Sequence, residues 1–251
     1  DLGEGDLLFG GDIEKWQRYC NSMRLRLAMR ISEVSPALAK ETVEEVMGNP
    51  TKYPIMESND DNAFFWWIGT DPNYYEPMAD GYRTRKTEYC AADVIVDHMN
   101  TREDPRRSSY FQPTKESVEA GEPKYVGYTI GAKANAVASK YSIWGVRFFT
   151  DLAGFSPYMR VAEPWFCVAE ASMLGWNTGI SAEDAYNKAV TYSMEENSVS
   201  AEDIADYLAN AGKFTNDKKQ IYYEEWVAMF KQGMEGWSLY RRTGVPDNLY
   251  P

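Results

Sequence analysis

The chain lacks any run of roughly 18 apolar residues, so no segment reads as a membrane-spanning helix, and no basic-then-apolar leader opens it. Basic residues are in deficit. Twenty-six Lys and Arg against 38 Asp and Glu leave a net charge of −12, which disfavours phosphate backbones and anionic lipid and sets nucleic acid aside as a partner. Only three cysteines occur (Cys20, Cys90 and Cys167), an odd number without metal-ligand spacing. No disulfide framework is implied, and the three are expected to be free and mostly buried. The one histidine, His98, has no nearby Ser or Cys motif to serve as general base and is read as a structural, partly buried residue. There is no Gly-rich phosphate cradle, nucleophile elbow or metal-ligand cluster, so neither a cofactor nor a metal is expected.

What is present is apolar and aromatic. With 44% hydrophobic and 14% aromatic side chains, 251 residues suffice for one large domain or two small ones, and disorder is not expected. Asp12 comes after a Gly- and Asp-rich loop and is expected to cap a helix running to about Ser32, with Trp16, Tyr19, Cys20, Met23, Leu27 and Ile31 as its apolar face. Ser35-Pro36 starts a second helix ending at Gly48, and residues 1–48 read as an antiparallel helix pair. Periodicity then lapses. Residues 49–156 are loop-rich, with one short strand around Phe64–Ile68 and one short helix around Ala91–Asn100.

Helical patterning returns near residue 156. Starts are expected near Ala162, with Pro164 tolerable in its first turn, and then at Ser181 and Ser200, each in the capping sequence Ser-Ala-Glu-Asp. A last helix begins near Lys219. In it Trp226, Phe230, Gly233, Trp237 and Tyr240 form one stripe at helical spacing, predicted to be buried, and Gly244 with Pro246 supplies the stop. This cadence is that of stacked helix-turn-helix pairs, close to tetratricopeptide (TPR) repeats without the full consensus. The expected class is mostly α, with TPR-like hairpins over residues 156–251 and long irregular loops.

One further pattern runs along the chain: in GGDIEKWQRYCNSMRLRLAMRIS stand Gly11, Asp12, Lys15, Trp16, Asn21, Ser22, Leu25, Arg26, Leu27, Ala28, Arg30 and Ile31, followed by Asp104-Pro105-Arg106, Tyr125-Val126-Gly127, AEPWFCVAEASMLGW and the terminal Arg-Arg-Thr-Gly-x-Pro. In residues and order this resembles the SusD/RagB family of nutrient-binding outer-membrane lipoproteins. The resemblance implies a SusD-like helical domain on the cell surface that lids a SusC-like TonB-dependent transporter and captures oligosaccharide or peptide for import. Family members are considerably longer, so the chain is expected to lack an N-terminal part carrying the lipid anchor.

The expected binding residues are Trp66, Trp67, Asp71, Asn73, Tyr74 and Tyr75, because flat aromatic faces accept sugar CH groups while carboxylate and amide groups bind hydroxyls. Large aromatics in long loops also pin a loop to the core, and both readings stand. Asn59-Asp60-Asp61-Asn62 lacks the order of a calcium loop and is read as a solvated turn. Glu163 and Glu170 lie on one helix face as a glycosidase pair would, although Glu170 in its packed setting is expected to pair with Arg241 or Arg242. No catalytic residue is assigned. A binding protein is expected, with a helical glycoside hydrolase and an interaction scaffold as the alternatives.

Overall fold

Side-chain caps set where the helices begin. In the computed structural model, which describes residues 3, 5–85, 89–132 and 137–249, Asp12 accepts the Lys15 amide at 3.0 Å, and Ser181 and Ser200 accept those of Asp184 and Asp203 at 3.0 and 3.1 Å. The corresponding helices are α1 (Ile13–Arg30), α9 (Ala182–Glu196) and α10 (Ala201–Ala209). The others are α2 (Pro36–Gly48), α3 (Pro77–Thr84), α4 (Asp93–Thr101), α5 (Arg107–Tyr110), α6 (Lys115–Glu119), α7 (Val146–Phe149), α8 (Ala162–Met173), α11 (Lys218–Ala228) and α12 (Gly233–Thr243). Among the described residues the strands are short and form two pairs, β1 (Ala63–Trp66) with β4 (Phe155–Met159), and β2 (Phe111–Gln112) antiparallel to β3 (Ile143–Trp144). The mostly α class holds, and the starts at Ala162, Ala182 and Ala201 fall at or next to the predicted positions. The end of the first irregular segment, residues 86–88, lies outside the described residues.

The chain divides into two units. Unit 1 comprises Asp1–Phe65, Pro157–Glu196 and Phe214–Pro246. Its centre is α8, buried along ten consecutive positions from Ala162 to Ala171 and packed on α1, α2, α9 and α11. A helix hydrophobic all round belongs in a core. On α8 the side chains of Glu163, Glu170 and Ser172 find partners within the unit, and Trp165 donates its indole N–H to the Met56 carbonyl at 3.0 Å.

Unit 2 comprises Trp66–Ser156, Asn197–Lys213 and Asp247–Pro251. Short helices surround Val96, Met99, Tyr110, Phe111, Phe148, Phe149 and Phe155, all buried. At its centre Asp104 and Arg106 form a fully buried pair. Asp104 Oδ1 accepts both the Arg106 amide and Nε at 2.9 Å, so the Asp-Pro-Arg step is a structural staple.

Several sequence expectations are corrected. The buried face of α1 is Asn21, Ser22, Leu25, Arg26, Ala28 and Met29, while Leu27 and Cys20 are exposed. Polar groups sit inside because partners meet them there: Asn21 Nδ2 donates to the Pro54 carbonyl at 2.9 Å, and Ser22 Oγ accepts the Met56 amide at 3.0 Å. Of the free cysteines only Cys167 is buried. The turn at Asn59–Asp61 is a 3₁₀ helix whose Asp61 is buried against Arg18 at 2.9 Å, not a solvated turn. The last helix is two. Lys231 takes φ 70° and Gln232 leaves helical geometry, held there by Arg160 at 2.5 Å and by its own donation to the Tyr158 carbonyl at 3.3 Å. The break interrupts the aromatic stripe, and Trp237 is 47% exposed.

Candidate ligand-binding site

The loop after β1 begins as strand and closes on itself. The Trp66 ring leans on buried Phe155 at 5.2 Å between centroids, yet remains 58% exposed. Its neighbour is tied down at both ends: the Trp67 amide donates to the Gly154 carbonyl at 2.9 Å, and its indole N–H donates to Ser156 Oγ at 3.0 Å. Gly69 then sits at φ +71°, where a Cβ would come within 2.6 Å of the Ala153 backbone nitrogen, so only glycine lets the two segments approach this closely. Its amide donates to the Tyr74 carbonyl at 3.2 Å, which brings the loop's ends together.

Within the closed loop Asp71 caps the turn Pro72–Tyr74. One carboxylate oxygen, Oδ1, accepts both the Asn73 amide at 2.9 Å and its side-chain Nδ2 at 3.0 Å. Oδ2 of Asp71 and Oδ1 of Asn73 therefore keep accepting capacity on the exposed side. Tyr74 is 51% and Ile68 62% exposed. Tyr75 is half-buried, with the Arg83 guanidinium 5.6 Å over its ring, and Arg83 is held by Asp80 at 2.7 Å. Buried Glu76 fixes the exit from the loop into α3, its amide donating to the Leu152 carbonyl at 2.9 Å and its carboxylate capping the helix through the Ala79 amide at 2.7 Å.

The six expected residues thus divide by role in the fold. Trp66, Asp71, Asn73 and Tyr74 are presented to solvent, whereas Trp67 and Tyr75 are anchors. The sequence reading did not pair this loop with the segment Asp151–Ser156, which supplies the carbonyls, the hydroxyl and the Phe155 support. The one local signal was glycine: Gly69 and Gly154 mark the close approach.

The carboxylates weighed as a glycosidase pair are in unit 1 and occupied. Arg26 Nε and Nη2 grip both oxygens of Glu163, and Arg242 makes a bidentate pair with Glu170 at 2.6 and 2.8 Å. Burial pulls the Arg242 guanidinium down, but its hydrogen bonds and attraction to Glu170 outweigh that and hold it firmly charged. The predicted pairing of Glu170 with one of the terminal arginines is therefore met by Arg242. Among the described residues no cluster of metal-ligating side chains occurs.

A family model described as starch-binding and associating with the outer membrane, SusD-like, matches residues 1–250. The chain belongs to the SusD-like family. A chitin-binding protein of known structure superposes with a TM-score of 0.85 at 28% identity, covering 98% of this chain and 56% of its own. A chitin-binding SusD homologue from Flavobacterium johnsoniae gives 0.80 at 27%, covering 100% and 55%. A SusD-like protein from Bacteroides thetaiotaomicron gives 0.79 at 28%, covering 96% and 54%. This chain therefore spans a little over half the length of these solved relatives. No curated protein matches it. In this SusD-like chain, segments that resemble the family are those holding buried polar pairs: Arg26 with Glu163, Glu170 with Arg242, and Asp104 with Arg106.

Proposed function

We propose that this SusD-like chain is part of a non-enzymatic protein of the outer-membrane surface that captures a glycan for a SusC-like TonB-dependent transporter. The observation that carries the proposal is the closed loop 66–75, which presents Trp66 and Tyr74 beside the free acceptors of Asp71 and Asn73 on a backbone fixed by the segment Asp151–Ser156. Apolar ring faces take the CH side of a sugar, and the acceptors take its hydroxyls. A rigid loop loses little conformational entropy when it binds. The starch-binding description of the family and the chitin-binding relatives support a glycan over a peptide. Occupation of Glu163 and Glu170 by arginine supports binding without hydrolysis. Surface attachment through a lipid anchor on an N-terminal part belongs to the same proposal.

The test is isothermal titration with chitooligosaccharides, maltooligosaccharides and peptides, with chromatography of each mixture for cleaved products. Saturable binding of one glycan series without cleavage is expected. Product formation would overturn the non-enzymatic reading, and binding of peptide alone would overturn the glycan reading. Co-purification with a SusC-like transporter tests the partner, and failure to co-purify would overturn it.

A further inference from the structure

Unit 1 gathers a cluster of charges that its ion pairs do not fully use. From α1 come Arg26 and Arg30, from α8 Glu163, Glu170 and the Cys167 thiol, from α11 Tyr222 and Glu225, and from α12 Glu235 and Arg242. Arg26 pairs with Glu163, Arg30 with Glu235, and Arg242 with Glu170, which also accepts the Tyr222 hydroxyl at 2.7 Å. Three guanidiniums thus meet three carboxylates, and the set is balanced. Glu225 is a fourth carboxyl, 4% exposed, in none of the ion pairs seen among the described residues. It borders a half-open pocket with about 20 Å³ of room for water, space for about one molecule, also lined by Arg26, Arg30, Glu163, Cys167, Glu235 and Arg242.

A lone carboxylate without a paired cation is costly in such a place, and the cheaper state is the neutral acid. We propose that Glu225 is a proton-held latch, packing as the neutral acid at neutral pH and loosening α11 and α12 from unit 1 when alkaline conditions remove its proton. Burial pushes its carboxyl up to about 8; Arg242 and Arg26 oppose the rise, and Glu163 and Glu170 add to it. Among its neighbours, burial raises the Glu163 carboxyl too, against the pull of Arg26. Burial holds the Cys167 thiol well above its ordinary range, and burial together with Glu170 does the same to Tyr222. The latch sits just before a break in the helix: the Glu225 carbonyl accepts the Met229 amide that ends α11, and Lys231 and Gln232 leave helical geometry just beyond.

A raised carboxyl makes the protein less stable as pH rises. Below about 4.5 the folded and unfolded chains both carry the proton, and Glu225 costs nothing. Between about 4.5 and about 8 only the folded chain keeps it, so this group lowers the folding constant roughly tenfold per pH unit. Above about 8 the folded protein loses it too, and the difference levels off.

The experiment compares urea unfolding of wild type and E225Q from pH 5 to 9. The variant is isosteric and cannot ionise. The expected result is a gap that widens roughly tenfold in the folding constant per pH unit and flattens near pH 8, with E225Q the more stable. Amide exchange across Lys218–Thr243, corrected for intrinsic rate, is expected to quicken at pH 9 in wild type alone. A gap independent of pH overturns the proposal. Should E225Q fail to fold, infrared spectroscopy of wild type decides: a protonated-carboxyl band present at pH 6 and lost by pH 9 supports the latch, and its absence at pH 6 overturns it.

Discussion

Replacing Trp66 and Trp67 separately asks which of two adjacent indoles meets ligand and which holds the loop. Trp66 is 58% exposed, so roughly 100 of its ~250 Å² is covered, and Trp66→Ala costs at most about 2.5 kcal/mol of stability at ~25 cal/mol/Å². A compact denatured state lowers that to about 1.5–2 kcal/mol. One open ring face is about 70 Å²; covering it with an equal area of sugar is worth ~3 kcal/mol, on the order of 100-fold in Kd. Trp67→Phe keeps a ring in place and deletes the 3.0 Å bond to Ser156, for about 1 kcal/mol of stability and little affinity. Calorimetric titration with a chitooligosaccharide, alongside thermal unfolding of each variant, reads both quantities. A folded Trp66→Ala protein with unchanged affinity refutes the loop as a binding surface. A Trp67→Phe protein that loses affinity while keeping its stability reverses the two roles.

Arg242→Met strands Glu170, buried beside Tyr222, and should cost about 3–5 kcal/mol in urea unfolding, whereas Arg242→Met with Glu170→Met should cost clearly less. Trp237→Ala should lower stability by no more than about 3 kcal/mol because nearly half that residue is open to water; a loss of ~5 kcal/mol in chemical denaturation would restore a buried stripe. Gly69→Ala meets the Ala153 backbone at a positive φ, and thermal melting together with titration should show stability and glycan affinity falling together.

Local signals survived into the fold wherever the deciding interaction spans a few residues. Asp12, Ser181 and Ser200 announced helix starts because a cap is made with an amide three positions on, and Pro164 marked a first turn because only there is its missing N–H harmless. Arginine at the chain's end was legible as a partner for Glu170 because a buried carboxylate needs a cation. The periodicity of 219–243 was read correctly as helical and wrongly as continuous. What breaks it is buried Gln232, whose partners Arg160 and Tyr158 lie some seventy residues earlier. The same holds for α1, whose polar residues turn inward to meet Pro54, Met56 and Glu163. Hydrophobic patterning assigns the inside to apolar side chains, and cannot show that a distant carbonyl or carboxylate makes burial of a polar one favourable. At the candidate site the composition singled out loop 66–75. Only the tertiary structure separated Trp66 from Trp67, because exposure there is decided by Ser156, Gly154 and Phe155, which the chain reaches almost ninety residues later.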